Sequence, residues 1–471
     1  MRALRPALAL LALLALAPGA AGRELWSRGE ASLEHGGSVK EILTVTRGTD
    51  AGDFEAVAAA SPACLLAATF PDCPAFGLVN EAGVVQSLTR VRTRLDLRAS
   101  PQLSAELVYD HELLFGDLGT LGDALGEGLQ TDSLLDLEWD VRAFGMPDDG
   151  ARWRHLLYRA SVKLETRRLE AVAGRQRIPW GVGRLWTPID RFNAIPPLAI
   201  EQDQSPGVDA LDLRWNFSGF SFAEAVYQPN GRSDDAAYGL RLHGSRGEMD
   251  WSLLGGRWEG AWATGMDLAA NLGEAALRLE AIWTSPTREV WPVGDARPRE
   301  LGSFWQLVAS LDNNFAVGRG LYVLVEHLYN GNALGFGEGA AGPLLPFFES
   351  TREPPAGFAP PPGAGAAAAA AAAGPFVRPA SPAIFGGSRV ITRARHLTGL
   401  QLGYDFTPIL RGDLLAIYDW EGRSAVFAPF VTYSPISSVE LVLGAQLFAG
   451  PRLSEYGSAE HLAYFTAEWF Y

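Results

Sequence analysis

Apolar and polar side chains alternate one for one along many segments of this 471-residue chain. Between residues 88 and 98, one side of the pattern carries Val91, Thr93, Leu95 and Leu97, and the other carries Arg90, Arg92, Arg94, Asp96 and Arg98. Successive side chains of a β-strand point to opposite faces, so this segment has one apolar face and one heavily charged face. The pattern predicts long strands whose two faces meet very different surroundings.

Three all-β architectures could use such strands. A β-sandwich normally has strands of about five or six residues, and a chain of this length would need several such domains. A solenoid would show a fixed repeat period, which we do not find. A transmembrane β-barrel needs strands of about 9 to 11 residues that are apolar towards lipid and polar towards the lumen. Segments of about this length, joined by alternating short and long connections, favour the barrel.

The connections predict a single antiparallel transmembrane β-barrel of about 18 strands, with 16 as the other count considered. Short turns of such barrels lie on the periplasmic side and long loops on the exterior, which places both termini in the periplasm. The long extracellular loops are expected at 48–86, 115–152, 178–207 and 331–389. The predicted strands are residues 38–47, 88–98, 104–114, 153–165, 168–177, 208–217, 220–229, 235–244, 249–258, 263–272, 275–285, 303–313, 319–330, 391–404, 409–420, 424–434, 438–448 and 460–471.

One strand assignment has two solutions. Residues 133–144 alternate as well as any predicted strand, with Leu137 and Trp139 opposite Glu138 and Asp140. We favour 38–47 as the barrel strand and 133–144 as a β-rich part of an outer loop, because this choice keeps the periplasmic turns short. If 133–144 replaces 38–47, the strand total stays at 18.

The first 22 residues predict a secretory signal peptide that is not part of the fold. Arg2 and Arg5 precede an apolar run from Ala7 to Ala17, and small residues follow up to Gly22. The run is too short to cross a bilayer as a helix, and no later stretch of 18 uncharged apolar residues occurs outside a low-complexity loop. Residues 23–471 are therefore expected to form one barrel domain in the outer membrane of a Gram-negative bacterium.

Cys64 and Cys73 are the only two cysteines of the chain. In an exported protein, a close pair of this kind predicts a disulfide that closes a short loop. A metal site is disfavoured, because no histidine lies within thirty residues downstream of the pair.

Residue types that often carry catalysis are not clustered in the sequence. The seven histidines are scattered singly, and no HExxH, CxxC or GxSxG motif occurs. The formal net charge of -15, or -17 without Arg2 and Arg5, disfavours a nucleic-acid partner. We expect no enzyme activity, no metal and no cofactor, although distant strands could still assemble a hydrolase site.

The segment richest in functional candidates is GRQRIPWGVGRLWTPIDRFNAIPPLAIEQDQSPGVDAL, residues 174–211. It could be a plain outer loop, but its mixture of indoles and charges favours a loop folded into the lumen. Charged rings at a constriction set the selectivity of pores. A structural role, in which these residues brace the wall or plug the pore, fits equally well. The candidate constriction and lumen residues are Arg175, Arg177, Trp180, Arg184, Trp186, Asp190 and Arg191, together with Arg90, Arg92 and Arg94.

This segment also resembles a family of porin-like outer-membrane β-barrels of Gram-negative bacteria. The resemblance is carried by GRQRIxWG followed by WxPxDxFN. The matching residues here are Gly174, Arg175, Gln176, Arg177, Trp180, Gly181, Trp186, Pro188, Asp190, Phe192 and Asn193. The family is distantly similar to phosphate-selective and alginate-export type porins. The resemblance is strong over about 40 residues and implies an outer-membrane channel of unassigned substrate.

We therefore expect a porin-like channel for passive diffusion of small charged solutes, with selectivity set by lumen charges and a constriction loop. A closed barrel with a structural or adhesive role is the alternative, and an outer-membrane hydrolase is less favoured. Expected partners are outer-membrane lipid, small solutes and the outer-membrane insertion machinery, and the chain could form a homotrimer.

The last twelve residues, EHLAYFTAEWFY, continue the alternation up to the terminus. We expect Phe465, Trp469 and Tyr471 to face lipid, and Thr466 and Glu468 to face the lumen. A terminal aromatic residue on such a strand resembles the signal read by the insertion machinery.

Overall fold

A computed structural model describes residues 23–46, 84–116, 138–142, 151–201, 207–229, 236–258, 260–286, 289–290, 299–300, 302–333, 335, 348–351, 376–379, 390–451, 454–457 and 459–471. The eighteen long strands are β1 (Ala31–Thr46), β2 (Val84–Arg98), β3 (Leu103–Gly116), β4 (Ala151–Glu165), β5 (Leu169–Gln176), β6 (Val208–Asn216), β7 (Phe222–Gln228), β8 (Ala237–Arg246), β9 (Met249–Trp258), β10 (Ala261–Leu272), β11 (Ala275–Pro286), β12 (Phe304–Phe315), β13 (Leu321–Asn330), β14 (His396–Thr407), β15 (Leu410–Asp419), β16 (Ser424–Ile436), β17 (Val439–Ala449) and β18 (Leu462–Phe470).

These strands form one closed antiparallel barrel. Each strand pairs with the next along the chain, and β18 pairs with β1 over Ser38–Thr46, which closes the sheet. The described residues contain no helix, so none there is long and apolar enough to cross a membrane. The predicted all-β, 18-stranded barrel is confirmed.

Alternation along each strand separates a polar lumen from an apolar outer face. On β12, Trp305, Leu307 and Leu311 are exposed on the outside, whereas Gln306 and Ser310 are buried on the inside. Exposed aromatic residues stand at both ends of this strand, Trp305 at one and Phe315 at the other. Ten residue steps separate them, roughly 25 Å along the barrel axis for a tilt of about 40°, which matches the lipid-facing band of an outer-membrane barrel.

The two ends of the barrel differ as predicted. At the short-turn end, connections such as 166–168 and 273–274 contain only a few residues, and there β1 begins and β18 ends. The opposite end, which we call the long-loop end, carries the long connections. A short strand, Arg23–Arg28, pairs with the first residues of β1. β1 begins at Ala31, seven residues before the predicted start at residue 38.

The strand assignment with two solutions is resolved. Residues 31–46 form β1 of the barrel. Glu138–Arg142 is instead a short strand that pairs with residues 152–156 of β4, whereas β5 pairs only with residues 160–165 of the same strand. The signal segment 1–22, both cysteines, and most of the predicted loops 48–86, 115–152 and 331–389 lie outside the described residues.

Candidate functional site

The segment between β5 and β6 folds into the barrel lumen. We call residues 177–201 the inward loop. Its turn is fixed locally, because the Ile178 N–H donates to Asn193 Oδ1 at 2.7 Å and Asp190 Oδ1 accepts from the backbone N–H groups of Phe192 and Asn193 at 3.1 and 2.7 Å. These contacts give Asp190 and Asn193 structural roles inside the loop.

Two lumen-facing carboxylates hold the backbone of the inward loop. Glu280 of β11 accepts from the N–H groups of Val182 (2.5 Å), Gly183 (2.7 Å) and Ile189 (3.3 Å). Glu326 of β13 accepts from three consecutive N–H groups, those of residues 184, 185 and 186, at 2.8, 2.9 and 2.7 Å. These hydrogen bonds satisfy backbone donors of the loop that would otherwise be left unpaired inside the lumen.

Gly183 is fixed in place by its neighbours. A side chain there would place its Cβ 2.0 Å from the backbone oxygen of Trp186, within the turn that Glu280 and Glu326 hold. Glycine is therefore required where the loop backbone folds closely on itself.

Apolar side chains attach the inward loop to opposite parts of the wall. Trp180 is 2% exposed and packs edge-on against Phe192 and Trp258, with ring centroids 5.2 and 6.0 Å away. Leu185 and Trp186 are buried with lumen-facing residues of β12 to β16. Each fully buried apolar side chain contributes about 1.5–3 kcal/mol relative to exposure. The indoles of Trp180 and Trp186 therefore pack against the lumen side of the wall.

The far end of the inward loop reaches the basic wall of β1 and β2. The Glu201 carboxylate lies 3.1 Å from Lys40 Nζ and 2.7 Å from Arg90 Nη1. Burial raises the pKa of Glu201, but the hydrogen bond and charge of Arg90 and the charge of Lys40 outweigh it, so the net pKa lies below the usual value. Gln446 Nε2 on β17 donates to the Leu198 oxygen at 2.7 Å. The loop thus touches most sides of the barrel.

A polar cavity of 770 Å³ remains open beside the start of the inward loop. Arg177, Ile178 and Pro179 form its loop side, and lumen residues of β1 to β8 form the remainder. Seven basic and six acidic side chains line it: Arg94, Arg98, Arg159, Lys163, Arg177, Arg214 and Arg241, with Glu34, Asp96, Glu106, Glu170, Asp212 and Glu224. The cavity is therefore strongly charged but close to balanced.

Carboxylates of β2 and β3 pair with the predicted lumen arginines Arg90, Arg92 and Arg94. Arg92 forms a two-pronged salt bridge with Asp110 at 2.7 and 2.6 Å, and its guanidinium lies 3.8 Å from the Tyr158 ring centroid. Arg90 pairs with Glu112 at 2.6 Å as well as with Glu201. Arg94 pairs with Asp96 at 2.7 Å and lines the cavity. Of the three, only Arg94 is among the cavity-lining residues.

The other predicted site residues fall into different environments. Arg177 lines the cavity, and Arg184 is exposed within the inward loop. Arg175 instead makes a two-pronged salt bridge to Asp209, its register partner on β6, at 2.9 and 3.0 Å, so it braces the wall. Arg191 is 1% exposed and donates to Thr284 Oγ1 at 2.7 Å, which fixes the loop to β11.

Sequence reasoning missed the carboxylates that hold the loop. Glu280 and Glu326 occur in alternating strands like every other lumen-facing acid, and no local signal marks them as partners of a segment about 90 to 140 residues away. The described residues contain no group of three or more His, Cys, Asp or Glu side chains suited to a metal ion.

At the C-terminus, Phe465 and Trp469 pair with Leu43 and Val39 of β1, whereas Glu468 pairs with Lys40 and forms a 3.1 Å salt bridge with it. The Tyr471 hydroxyl donates to the Arg92 oxygen at 3.1 Å.

Comparisons with known proteins bear on the fold. No protein-family model and no curated protein matches the chain. Among solved structures, OccAB1 of Acinetobacter baumannii is similar, with a TM-score of 0.51 and 11% identity over 96% of this chain and 99% of that chain. OccD3 (OpdP) of Pseudomonas aeruginosa gives a TM-score of 0.45 and 10% identity over 97% of this chain and 95% of that chain. The outer membrane protein OprD of Pseudomonas aeruginosa gives a TM-score of 0.46 and 9% identity over 95% of each chain. At this identity, the similarity to OccAB1 shows a shared fold.

Proposed function

We propose that this protein is a porin-like channel of the outer membrane, through which small charged solutes diffuse passively. The observation that carries the proposal is the inward loop, anchored across the lumen by Glu280 and Glu326 with a charged cavity left open beside it. An 18-stranded barrel is wide enough for an aqueous channel unless loops fill it. The loop narrows the lumen without removing its polar surface.

The exposed apolar band supports the membrane location. Large apolar side chains are exposed on the outer face of nearly every strand, for example Leu213, Leu240, Leu253 and Leu443. A soluble protein rarely exposes so continuous an apolar surface, whereas a lipid-facing barrel requires one. The long-loop end would then face the exterior and the short-turn end the periplasm. Phe465, Trp469 and Tyr471 would be read by the insertion machinery.

Selectivity would arise from the cavity charges, because rings of charged side chains set ion preference at a constriction. Nearly balanced basic and acidic groups favour solutes that carry both charges, or small ions of either sign, over neutral ones. The proposal assigns no catalytic step and no cofactor. Disulfide formation between Cys64 and Cys73 and assembly into a homotrimer stay predictions, to be checked by mass analysis of the exported protein.

Single-channel recording in planar lipid bilayers tests the proposal. We expect discrete conductance steps from the full chain, and a reversal potential that shifts towards cation preference in the double variant Arg177→Gln, Lys163→Gln. The control is Arg319→Gln, which removes one positive charge from an exposed short turn outside the cavity. If the inserted protein gives no conductance steps, the channel proposal is wrong and a closed barrel with a structural role is favoured. An unchanged reversal potential would contradict the selectivity assigned to the cavity.

A further inference from the structure

A second concave site lies on the outer face of the barrel, away from the lumen. It is a groove of 710 Å³, within the range of about 300–1,000 Å³ that small-molecule sites occupy. Ala281 and Ala309 form the low points of its floor, and Met266, Leu268, Leu279 and Leu307 stand around them. Side chains that face the lumen alternate with these residues, so the groove opens towards the surroundings of the barrel.

The groove has a narrow, linear shape. Its outward-facing residues belong to two rows of register partners, one running from Met266 through Ala281 and Leu307 to Tyr329, the other from Leu268 through Leu279 and Ala309 to His327. Asp267, Glu280 and Val308, on the row between them, complete the lining. The rows are two residues apart along each strand, or about 7 Å. An α-helix with its side chains is about 10–12 Å wide and is too broad for this floor. A single hydrocarbon chain fits.

The direction of the groove follows from the strand ends. The row of Met266 begins five residues inside the long-loop end of β10 and reaches His396, the first residue of β14. Five residues of a tilted strand correspond to a descent of about 13 Å. The groove therefore runs obliquely from the long-loop rim of the barrel towards the middle of the apolar band, over about 19 Å for four interstrand spacings.

The end of the groove nearest the long-loop rim is polar. The Trp420 indole N–H donates to Thr398 Oγ1 at 2.8 Å, His327 Nδ1 lies 2.9 Å from the same oxygen, and His327 Nε2 lies 3.3 Å from His396 Nδ1. The His396 ring lies beside Tyr329, with centroids 5.2 Å apart. Polar groups are costly on a lipid-facing surface unless they are satisfied, so this chain of contacts marks a boundary between hydrocarbon and polar surroundings.

We propose that the groove is a binding site for one acyl chain of a membrane lipid in the outer leaflet. The hydrocarbon would lie over Ala281 and Ala309, and the polar end of the lipid would lie at His327, Tyr329 and His396. The site rests on the proposed membrane location, but not on conductance. Elsewhere on the outer face, large side chains such as those of Trp262 and Leu311 project.

Photo-crosslinking tests the site. The full chain is reconstituted in phosphatidylethanolamine vesicles that contain a phospholipid with a diazirine on one acyl chain. After irradiation, we expect lipid-labelled peptides from β10 to β13 to exceed those from strands outside the groove by roughly tenfold, the ratio for about 1.4 kcal/mol of preference. The double variant Ala281→Leu, Ala309→Leu fills the floor and should reduce this labelling to the level of the other strands.

The matched control is Ala225→Leu, an outward-facing alanine of β7 beside Leu213 and outside the groove. Folding of each variant is followed by heat-dependent migration of the barrel on detergent gels. Labelling that is uniform around the barrel, or that survives in the folded double variant, would overturn the lipid site while leaving the channel intact. A wild-type chain that does not insert into vesicles would overturn the proposed function and the site together.

Discussion

At the scale of single residues, a few carboxylates hold the inward loop in its position across the lumen. Glu326 accepts three backbone N–H groups with one side chain, and each hydrogen bond to a charged group contributes about 1.5–3 kcal/mol. Because the donors are consecutive residues of the inward loop, one substitution releases the loop backbone without removing any apolar contact.

The variant Glu326→Gln should therefore loosen the inward loop. Its amide keeps one oxygen acceptor and replaces the other with a donor, which faces backbone N–H groups that can no longer be satisfied. We expect a higher and noisier single-channel conductance, with the barrel still folded. Asp312→Asn is the control, since this lumen carboxylate pairs with Arg278 of β11 instead of accepting hydrogen bonds from the loop backbone. Equal traces from both variants would show that the carboxylate does not hold the loop.

Residues of this kind also mark the limit of prediction from sequence. Trp180 and Trp186 could be predicted as wall contacts, because an indole is costly to expose and the surrounding charges indicate a lumen. Arg175 and Arg191 could not be separated from Arg177 in the same way. Each is an arginine in a polar segment, and only the register with Asp209 or the approach to Thr284 decides its role.

At the scale of elements, the strands could be predicted from the sequence, but the path of the inward loop through the lumen could not. The period of two is a local property, so strand ends agree within a few residues, with Ala31–Thr46 the main exception because Arg23–Arg28 extends its pairing. The inward loop depends on contacts between residues far apart in the chain. Its docking on β11, β13 and β2 has no local signature.

The attachment of the loop to the basic wall gives a pH prediction for this element. Charge and hydrogen bonding from Arg90 and Lys40 hold the pKa of Glu201 below its ordinary value of 4.5, against the opposing effect of burial. The ionised carboxylate therefore stabilises the docked loop at neutral pH, and this contribution is lost as pH falls through the lowered pKa. Conductance recorded between pH 7 and 3 should change below about pH 4.5.

The variant Glu201→Gln is the reference for that titration. It cannot ionise, so its conductance at pH 7 should already equal that of the acidified wild type, and this component of the pH dependence should be absent. A variant that keeps the full wild-type transition would assign the titration to another group.

At the scale of the whole molecule, the barrel exists only if its first and last strands meet. The backbone N–H of Gly37 donates to the Tyr471 oxygen at 2.9 Å, and the Tyr471 N–H donates to the Gly37 oxygen at 3.0 Å. The Tyr471 ring covers Gly37, where an added Cβ would lie 2.1 Å from the Arg92 oxygen and 2.7 Å from the Tyr471 hydroxyl. The terminal aromatic, which the sequence pattern places on a lipid-facing strand, thus also seals the junction.

The variant Gly37→Ala should therefore impair closure. Forcing a methyl group into a packed site usually costs about 1–3 kcal/mol, and here the obstructing Arg92 oxygen belongs to the backbone of the neighbouring strand. We expect a lower urea midpoint and less of the compact, heat-modifiable form on detergent gels. Gly219→Ala, in an exposed turn with no atom within 4 Å of the new Cβ, should behave like the wild type. Equal midpoints for the two variants would contradict a closing role for the Gly37–Tyr471 contact, and the closure energy would then lie in the β1–β18 ladder alone.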